Sequence, residues 1–362
     1  MRLHLTNVTG TGASKLLISL LPAIERNKIT RINCIYIPNK GYLKNYKSIN
    51  KLSEICTYNR FLPNIVSRFL ECTFLSYKFN GLDPLLVLGD IPLRVKCSQT
   101  VFVHQSHLVK PNIFNWKTFY FKYMIARLIF RLNLSKVNAF IVQSNIMKDK
   151  LESIYPSTKG KVYVVSQPAP IWLLNSGIKK RVARININKS NLQLIYPSAG
   201  YPHKNHKLLS KINARENYPI SEMIITLDKH LNPAPHVPWL KCVGFLTPKE
   251  LIKIYANVDG LIFLSKEESY GFPLVEAMFV GLPIICPNLS YARSLCGEQA
   301  IYFDPDSQNS LLSAIKKLKK MLDNGWWPSW RYQKKNISSN WDIVAKAMIE
   351  ITLNSSKLKK LS

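Results

Sequence analysis

The stretch S-K-E-E-S-Y-G-F-P-L-V-E-A-M-F-V-G-L-P-I-I-C-P, residues 265–287, decides the fold of this chain. The apolar run at 259–264 that precedes it is typical of a buried strand. Pro273 suits the first turn of a helix, where no N–H donor is needed, and Gly281 suits the residue that ends one. A second apolar run follows at 284–286. The pattern therefore predicts a strand, a loop, a helix and another strand.

Two carboxylates flank the start of this predicted helix. Glu268 lies in the loop, and we place Glu276 in the first helical turn. Backbone N–H groups near Gly271 and Phe272 would lack partners within the helix and could bind phosphate, while the carboxylates could bind sugar hydroxyls. The alternative is an ordinary solvated helix start with two surface acids.

The motif E-S-Y-G-F-P-L-V-E-A-M-x-x-G-x-P, with seven residues between Glu268 and Glu276, resembles the signature of the retaining glycosyltransferases of family 4, glycosyl transferases group 1. This resemblance extends to bacterial O-antigen and surface-polysaccharide enzymes. It implies the α/β GT-B fold, with two Rossmann-like domains whose parallel sheets face each other across a cleft. It also implies transfer of a hexose-type sugar (mannose, galactose, glucose or N-acetylhexosamine) from a nucleotide-diphosphate sugar donor, without a metal or other cofactor.

Length and composition agree with two domains and an anionic partner. The chain has 362 residues, and its 50 Lys and Arg against 21 Asp and Glu give a net charge of +29. Part of this excess is ordinary surface lysine; the rest favours phosphorylated substrates, an anionic membrane surface or nucleic acid. The seven cysteines form no C-x-x-C pair, so we expect reduced thiols in the cytoplasm and no zinc site. We also expect neither a signal peptide nor a transmembrane helix.

The first half of the chain alternates strands and helices. Strand-like runs occur at 2–8, 31–37, 85–88, 100–104, 139–143 and 161–165, which predicts a parallel sheet covered on both faces. Ligands bind such sheets beyond the carboxyl ends of the strands. Gly10, Gly89-Asp90 and His104 fall at such ends, and Gly12 belongs to the same glycine-rich loop as Gly10. The resemblance implies that the glycine loop approaches donor and acceptor, and that His104 contacts the donor sugar near the reacting carbon; His107 is the alternative.

The second half repeats the alternation, with strand-like runs at 192–196, 223–227, 241–244, 261–264 and 301–303. We predict a first domain at 1–170, a linker near 168–190 and a second, nucleotide-sugar-binding domain at 171–340. The resemblance implies that a last helix, about 341–356, crosses back to the first domain. Asp304 and Asp306 suggest a helix cap rather than a metal site.

The resemblance also assigns the donor contacts. Lys204, next to Asn205, would neutralise the departing diphosphate. The family often has an arginine where this chain has Ser198, so one positive charge is missing, and His203 or His206 could replace it. Gly244 and Phe245 would lie against the nucleotide base.

Within the opening motif, the loop and helix start (Ser269, Tyr270, Gly271 and Phe272) would contact the donor. Glu276 would bind the ribose hydroxyls and Glu268 the sugar.

The stretch at 115–136 is rich in aromatic residues and contains no acid, and its basic residues are Lys117, Lys122, Arg127, Arg131 and Lys136. A helix here would present Phe119, Tyr123 and Phe130 beside a basic edge, which predicts docking on an anionic membrane. The alternative is a core helix with extended Lys and Arg side chains. Docking would suit a peripheral enzyme at the inner face of the cell membrane that uses a polyprenyl-diphosphate-linked saccharide as acceptor. Two other functions stay open: a nucleotide-sugar epimerase, and a nucleic-acid-binding protein, which the scattered charge disfavours.

Overall fold

The computed structural model describes residues 1–50, 53–60, 62, 64–110, 118–185, 190–213 and 218–361. The chain forms two units. Unit 1 comprises Met1–Pro168 and Ser338–Ser362, and unit 2 comprises Ala169–Ile337. The change of unit at Pro168 lies at the beginning of the linker expected near 168–190.

Unit 1 contains a seven-stranded parallel sheet in the order β3-β2-β1-β4-β5-β6-β7. Its strands are β1 Arg2–His4, β2 Cys34–Pro38, β3 Glu54–Tyr58, β4 Leu85–Val87, β5 Gln99–Val103, β6 Ala139–Val142 and β7 Val162–Val164. The helices of its first segment are α1 Thr11–Arg26, α2 Asn64–Cys72, α3 Thr118–Asn133 and α4 Asn145–Ile154.

The central strands of unit 1 are apolar because helices cover both faces of a parallel sheet. Every residue of β4, β5 and β6 is buried. Strand β3 differs, since its residues are exposed or half-buried and, among the described residues, it pairs only with β2. This edge strand was not predicted, because its polar and apolar residues lack the continuous apolar pattern of the other strands.

Unit 2 contains a six-stranded parallel sheet in the order β10-β9-β8-β11-β12-β13. Its strands are β8 Leu192–Tyr196, β9 Ile220–Ile225, β10 Leu240–Cys242, β11 Gly260–Ile262, β12 Ile284–Pro287 and β13 Ile301–Phe303. Its helices are α5 Ile171–Leu174, α6 Pro248–Asn257, α7 Phe272–Val280, α8 Ser290–Cys296, α9 Gln308–Asp323 and α10 Arg331–Lys335.

The last helix, α11 Trp341–Leu361, belongs to unit 1. It packs against α1 and β5. Trp341 at its start is buried, and the hydroxyl of Ser355 lies 3.2 Å from that of Thr100. These contacts attach the end of the chain to its first unit.

Candidate functional site

Helix α7 begins and ends at glycines with left-handed backbone. Gly271 precedes the helix with φ 98°, and Gly281 follows it with φ 86°. A Cβ at Gly281 would collide with the backbone oxygen of Arg181, so both the turn and the packing require glycine there. The helix start is thus set at Phe272, after β11 and a polar loop, as the sequence predicted.

Glu276 lies deeper in this helix than expected. It is the fifth residue of α7, and no acidic residue lies in the first turn, so that placement was wrong. Its side chain is buried, and its Oε2 accepts a hydrogen bond of 2.7 Å from the hydroxyl of Tyr255 on α6. Burial and the carboxylate raise the pKa of Tyr255, which keeps its proton as donor. Tyr255 was missed because its helical spacing indicates only burial.

Lys204 and Glu268 form an ion pair beside the start of α7. Lys204 Nζ lies 2.5 Å from Glu268 Oε1, and each side chain is 14% exposed. The same ammonium lies 5.5 Å from the centre of the Phe263 ring. The backbone oxygen of Lys204 accepts a hydrogen bond of 2.6 Å from Tyr196. The pair places a cation beside a carboxylate of the loop that precedes α7, which suits a ligand with a diphosphate and a sugar.

Asn205 shapes the turn that carries Lys204. Its backbone is left-handed, with φ 57°, a conformation that asparagine tolerates well. Its amide nitrogen donates a hydrogen bond of 2.8 Å to the backbone oxygen of Pro305. In this structure the side chain therefore holds the turn in place.

The missing arginine is not replaced by His206. The hydroxyl of Ser198 lies 2.7 Å from His206 Nε2. Burial, together with the neighbouring charges of Lys204 and His203, lowers the pKa of His206 to about 4. His206 is therefore neutral near pH 7, and the expectation that it supplies a cation is wrong. The other candidate, His203, is stacked on the ring of Tyr201, with centroids 5.7 Å apart.

The segment after β10 is a turn that leads into α6. Gly244 has φ 77°, and its N–H donates to the backbone oxygen of Leu227 at 2.7 Å. Phe245 is 60% exposed. Thr247 and Glu250 then form a capping box that starts α6. Phe245 thus presents an aromatic surface at the position where the resemblance implies that the nucleotide base binds.

Two further predictions concern loops of unit 2. Tyr270 is buried, with its ring 5.4 Å from that of Phe272, so it belongs to the core of the unit, while Ser269 before it is half-buried.

The turn that contains Asp304 and Asp306 does not cap a helix, although the sequence predicted a cap there. Ser307 caps α9 by accepting a hydrogen bond from the N–H of Ser310, and Asp304 accepts from the N–H of Asp306 within the turn.

In unit 1, His104 is held by Asp90. One carboxylate oxygen, Oδ1 of Asp90, accepts the backbone N–H of His104 at 2.7 Å and lies 3.2 Å from the ring Nδ1. Asp90 has φ 67°, which is uncommon outside glycine. Burial raises the pKa of this carboxyl, and His104 opposes the shift. Nε2 of His104 is buried and has no hydrogen-bond partner among the described residues.

The alternative histidine, His107, contacts α3. The ring of His107 lies 4.5 Å from that of Tyr123, and its backbone oxygen accepts a hydrogen bond of 3.0 Å from Arg127. The glycine turn at the start of α1 is open. No described atom lies within 4 Å of a Cβ built at Gly10 or Gly12, so packing within the unit does not require glycine there.

The aromatic and basic stretch differs from the expected membrane face. Lys117 lies outside the described residues, as do the side chains of Phe119 and Lys122. Phe130 is fully buried, with its ring 5.7 Å from that of Phe140. Arg127 is also buried, so the expected exposure of Phe130 beside a basic edge at Arg127 is wrong. This side of α3 faces the core of the unit.

The exposed side of α3 carries Leu128, Arg131 and Leu132 instead. In the part of the chain that the structure describes, each helix is too short or too polar to cross a bilayer.

Comparisons with known proteins agree with this architecture. Residues 178–324 match the family model Glycosyl transferases group 1. The O-antigen chain mannosyltransferase RfbU of Salmonella typhimurium (strain LT2) is 24% identical over 240 residues, which are 62% of this chain and 62% of that protein. The O-antigen chain mannosyltransferase B of Escherichia coli is 26% identical over 88 residues, 24% of this chain and 23% of that protein. The chain thus spans less than two thirds of the length of these curated relatives.

Solved structures match over nearly the whole chain. The crystal structure of WaaG, a glycosyltransferase involved in lipopolysaccharide biosynthesis, has a TM-score of 0.65 at 12% identity and covers 97% of this chain and 100% of its own. The structure of Anabaena Alr3699/HepE in complex with UDP and glucose has a TM-score of 0.60 at 15% identity and covers 99% of each chain. At such identities the likeness establishes the fold. The chain therefore has the GT-B fold, and its residues 178–324 are similar to the glycosyl transferases group 1 family.

Proposed function

We propose that this protein is a retaining hexosyltransferase that moves a sugar from a nucleotide-diphosphate sugar to a hydroxyl of a lipid-linked saccharide. The observation that carries the proposal is the ion pair of Lys204 and Glu268 beside the start of α7. A cation paired with a carboxylate of the loop that precedes a helix start suits a diphosphate, and the carboxylate suits sugar hydroxyls. The family match and the relatives support the same activity.

The donor contacts are divided among three elements of unit 2. Lys204 and the N–H groups near Gly271 and Phe272 bind the diphosphate. Glu276 accepts hydrogen bonds from the ribose, with Tyr255 fixing its orientation. Glu268 binds hydroxyls of the transferred sugar while its charge keeps Lys204 in position.

The reaction exchanges one bond at the anomeric carbon for another on the same face of the sugar. The bond from that carbon to the diphosphate oxygen breaks, and the acceptor oxygen forms the new bond. The acceptor proton passes to the departing diphosphate. Because negative charge grows on the diphosphate, the largest help comes from Lys204 and the helix start. In unit 1, His104 would contribute through Nε2, by a hydrogen bond to a sugar hydroxyl.

The proposed pathway is assembly of a bacterial surface polysaccharide such as O-antigen. Both curated relatives cited above are named O-antigen chain mannosyltransferases, so mannose is the first sugar to test. We propose a polyprenyl-diphosphate-linked saccharide as acceptor and a cytoplasmic enzyme at the inner face of the membrane. No metal is assigned to the reaction, since Lys204 and the helix start would supply the positive charge.

A donor screen tests the proposal. Thermal shift and hydrolysis are measured with UDP-, GDP-, ADP- and dTDP-sugars, for the wild type and for Lys204→Ala and Glu276→Ala. At least one sugar nucleotide should stabilise the wild type, and both variants should lose that response. Lys207→Ala is the matched control, because Lys207 is exposed close to Lys204 in sequence. A wild type that responds to none, or variants that respond normally, would contradict the site.

The acceptor is tested separately. With the responding donor, transfer to a polyprenyl-diphosphate-linked saccharide is followed by mass spectrometry, and the anomeric configuration of the product by NMR. A product with the donor's configuration supports retention. Donor consumption that yields an isomerised free sugar nucleotide and needs no acceptor would indicate an epimerase instead.

Membrane association rests on charge and on one exposed surface. The net charge of +29 favours anionic lipid, where each basic residue near the surface contributes about 1 kcal/mol. On α3, Leu128 and Leu132 are 52% and 55% exposed, with Arg131 between them. On α2, which packs against α3, Val66 is 47% exposed. Apolar side chains beside a basic one suit an anionic interface.

Flotation with vesicles tests this surface. The wild type should float with anionic vesicles and much less with neutral ones. Changing both Leu128 and Leu132 to Asp should reduce flotation at least about tenfold, since two apolar anchors are lost and two repelling charges gained. Changing the exposed Ile343 of α11 to Asp is the control. Equal flotation of all three proteins would place membrane contact elsewhere.

A further inference from the structure

Two thiols and a carboxylate lie close together on one face of the unit 1 sheet, on strands β2 and β3 at its edge. Cys34 on β2 pairs in register with Glu54 on β3, so their side chains lie on the same face. Cys56 is two residues after Glu54 and therefore shares that face. The sulfur atoms of Cys34 and Cys56 are 3.1 Å apart. The two sulfurs and a carboxylate oxygen of Glu54 lie within 4.8 Å of one another.

This donor set fits a borderline-soft divalent cation. Zinc binds thiolate sulfur at about 2.3 Å and carboxylate oxygen at about 2.0–2.2 Å, in a tetrahedral arrangement that small side-chain movements would produce here. Zinc binds cysteine as the thiolate, so each thiol must release its proton when the ion binds. A bound metal would displace these protons and gain two anionic sulfur ligands.

The position of the cluster makes it accessible and separates it from the proposed sugar-transfer site. Cys34 is buried, Cys56 half-buried and Glu54 exposed, so solvent can supply both the ion and a fourth ligand. Cys34 and Glu54 are the first residues of their strands, whereas His104 follows the last residue of β5. All strands of a parallel sheet run in the same direction, so these residues lie at opposite ends of the strands.

One neighbouring cation could oppose metal binding. Arg2 on β1 pairs in register with Cys34 and therefore lies on the same face. Its guanidinium donates hydrogen bonds to the backbone oxygens of Phe79 and Asp83, which accept part of its positive charge. Two thiolates and one carboxylate would still give the metal three negative ligands.

We propose that Cys34, Glu54 and Cys56 form a zinc site that fastens the edge strand β3 to β2. Among the described strands, β3 lies at the exposed edge of the sheet beside β2, so a metal bridge across the pair would hold it to the sheet. The function of the site is structural, and it does not depend on the proposed sugar transfer.

Metal analysis of the full chain tests the proposal. Protein purified under reducing conditions is given zinc, dialysed and assayed for bound metal, and it is titrated with Cd²⁺ while thiolate-to-metal absorption is followed in the ultraviolet. We expect one bound equivalent, loss of thiolate absorption in Cys34→Ser and Cys56→Ser, and at least about tenfold weaker binding in Glu54→Gln. Cys242→Ser, at a buried cysteine of unit 2, should bind like the wild type.

A second measurement covers the case in which the serine variants fail to fold. In the wild type, zinc should slow alkylation of Cys56 and raise the Tm, and both effects should shrink in Glu54→Gln, whose exposed side chain is not needed for packing. Absence of a stoichiometric metal, unchanged binding in Glu54→Gln, or isolation of Cys34 and Cys56 as a disulfide under reducing conditions would overturn the proposal.

Discussion

Lys204 Nζ lies 2.5 Å from Oε1 of Glu268, although the two residues are 64 positions apart in sequence. The pair joins the turn after β8 to the loop before α7, and both side chains are largely buried. Each residue thus orients the other before a ligand arrives. This arrangement lowers the entropic cost of ligand binding, because the long lysine side chain is already ordered.

Lys204→Ala should reduce kcat/KM by about 10²–10³, the range found when one group that stabilises a developing anion is removed. Glu268→Gln should also reduce it, and the double variant should lose less than the product of the two effects because the residues act together. Steady-state kinetics of the four proteins measures this coupling. Fully multiplicative losses would show that the pair is not a functional unit.

Tyr255→Phe should destabilise the protein by about 1–3 kcal/mol, because it removes a hydrogen bond to the buried carboxylate of Glu276. It should also weaken nucleoside diphosphate binding, since Glu276 is no longer held in one orientation. Denaturant unfolding and calorimetric titration measure the two effects.

The ribose contact of Glu276 can be isolated with a modified ligand. Glu276→Gln should weaken binding of the normal nucleotide but have little effect on a nucleotide whose ribose lacks both hydroxyls. Equal losses with the two ligands would mean that Glu276 does not contact the ribose.

Asp90→Asn should reduce activity by altering His104. Asparagine tolerates the left-handed backbone of this residue, so the fold should be kept. The charge that favours a proton on His104 Nδ1 is lost, however, and Nε2 is no longer held as the free acceptor. Nitrogen NMR of labelled histidine should show a changed tautomer ratio, with His104→Gln used to assign the signal. In the His104→Gln background, Asp90→Asn should have little further effect on kcat; a full additional loss would contradict this link.

Stability should fall on acidification through the titration of His206. Its pKa is about 4 in the folded protein against a reference value of 6.5, so the unfolded chain binds the proton more readily. Stabilisation by the neutral side chain is therefore complete above about pH 6.5 and declines as the pH falls towards 4. Because His206 is partly exposed, we expect a contribution of about 1–3 kcal/mol.

The measurement is the Tm between pH 4 and 7 for the wild type and for His206→Gln, in which this titration is absent. The difference in Tm between the two proteins should shrink or change sign as the pH is lowered. A constant difference over this range would contradict the low pKa.

The sequence by itself determined the two parallel sheets and the opening motif. Strands β4, β5 and β6 could be predicted because burial on both faces requires continuous apolar runs. The start and end of α7 could be predicted because Gly271 and Gly281 adopt backbone conformations that other residues avoid. These are local properties, because they depend on residues that are adjacent in the sequence.

Only the tertiary structure decided which side chains meet and in what state. It paired Lys204 with Glu268 and Tyr255 with Glu276, and it turned Phe130 into the core. None of these contacts has a sequence pattern, because the partners come from separate elements.

Charge states depend on packing in the same way. Burial makes His206 a neutral side chain where a cation was expected, and Asp90 acquires its role only because β4 and β5 are neighbours. The two thiols of Cys34 and Cys56 meet for the same reason, as β2 and β3 pair in a register that their sequences do not specify. The sequence therefore determines where the elements lie, while long-range packing determines the chemistry of the side chains that they carry.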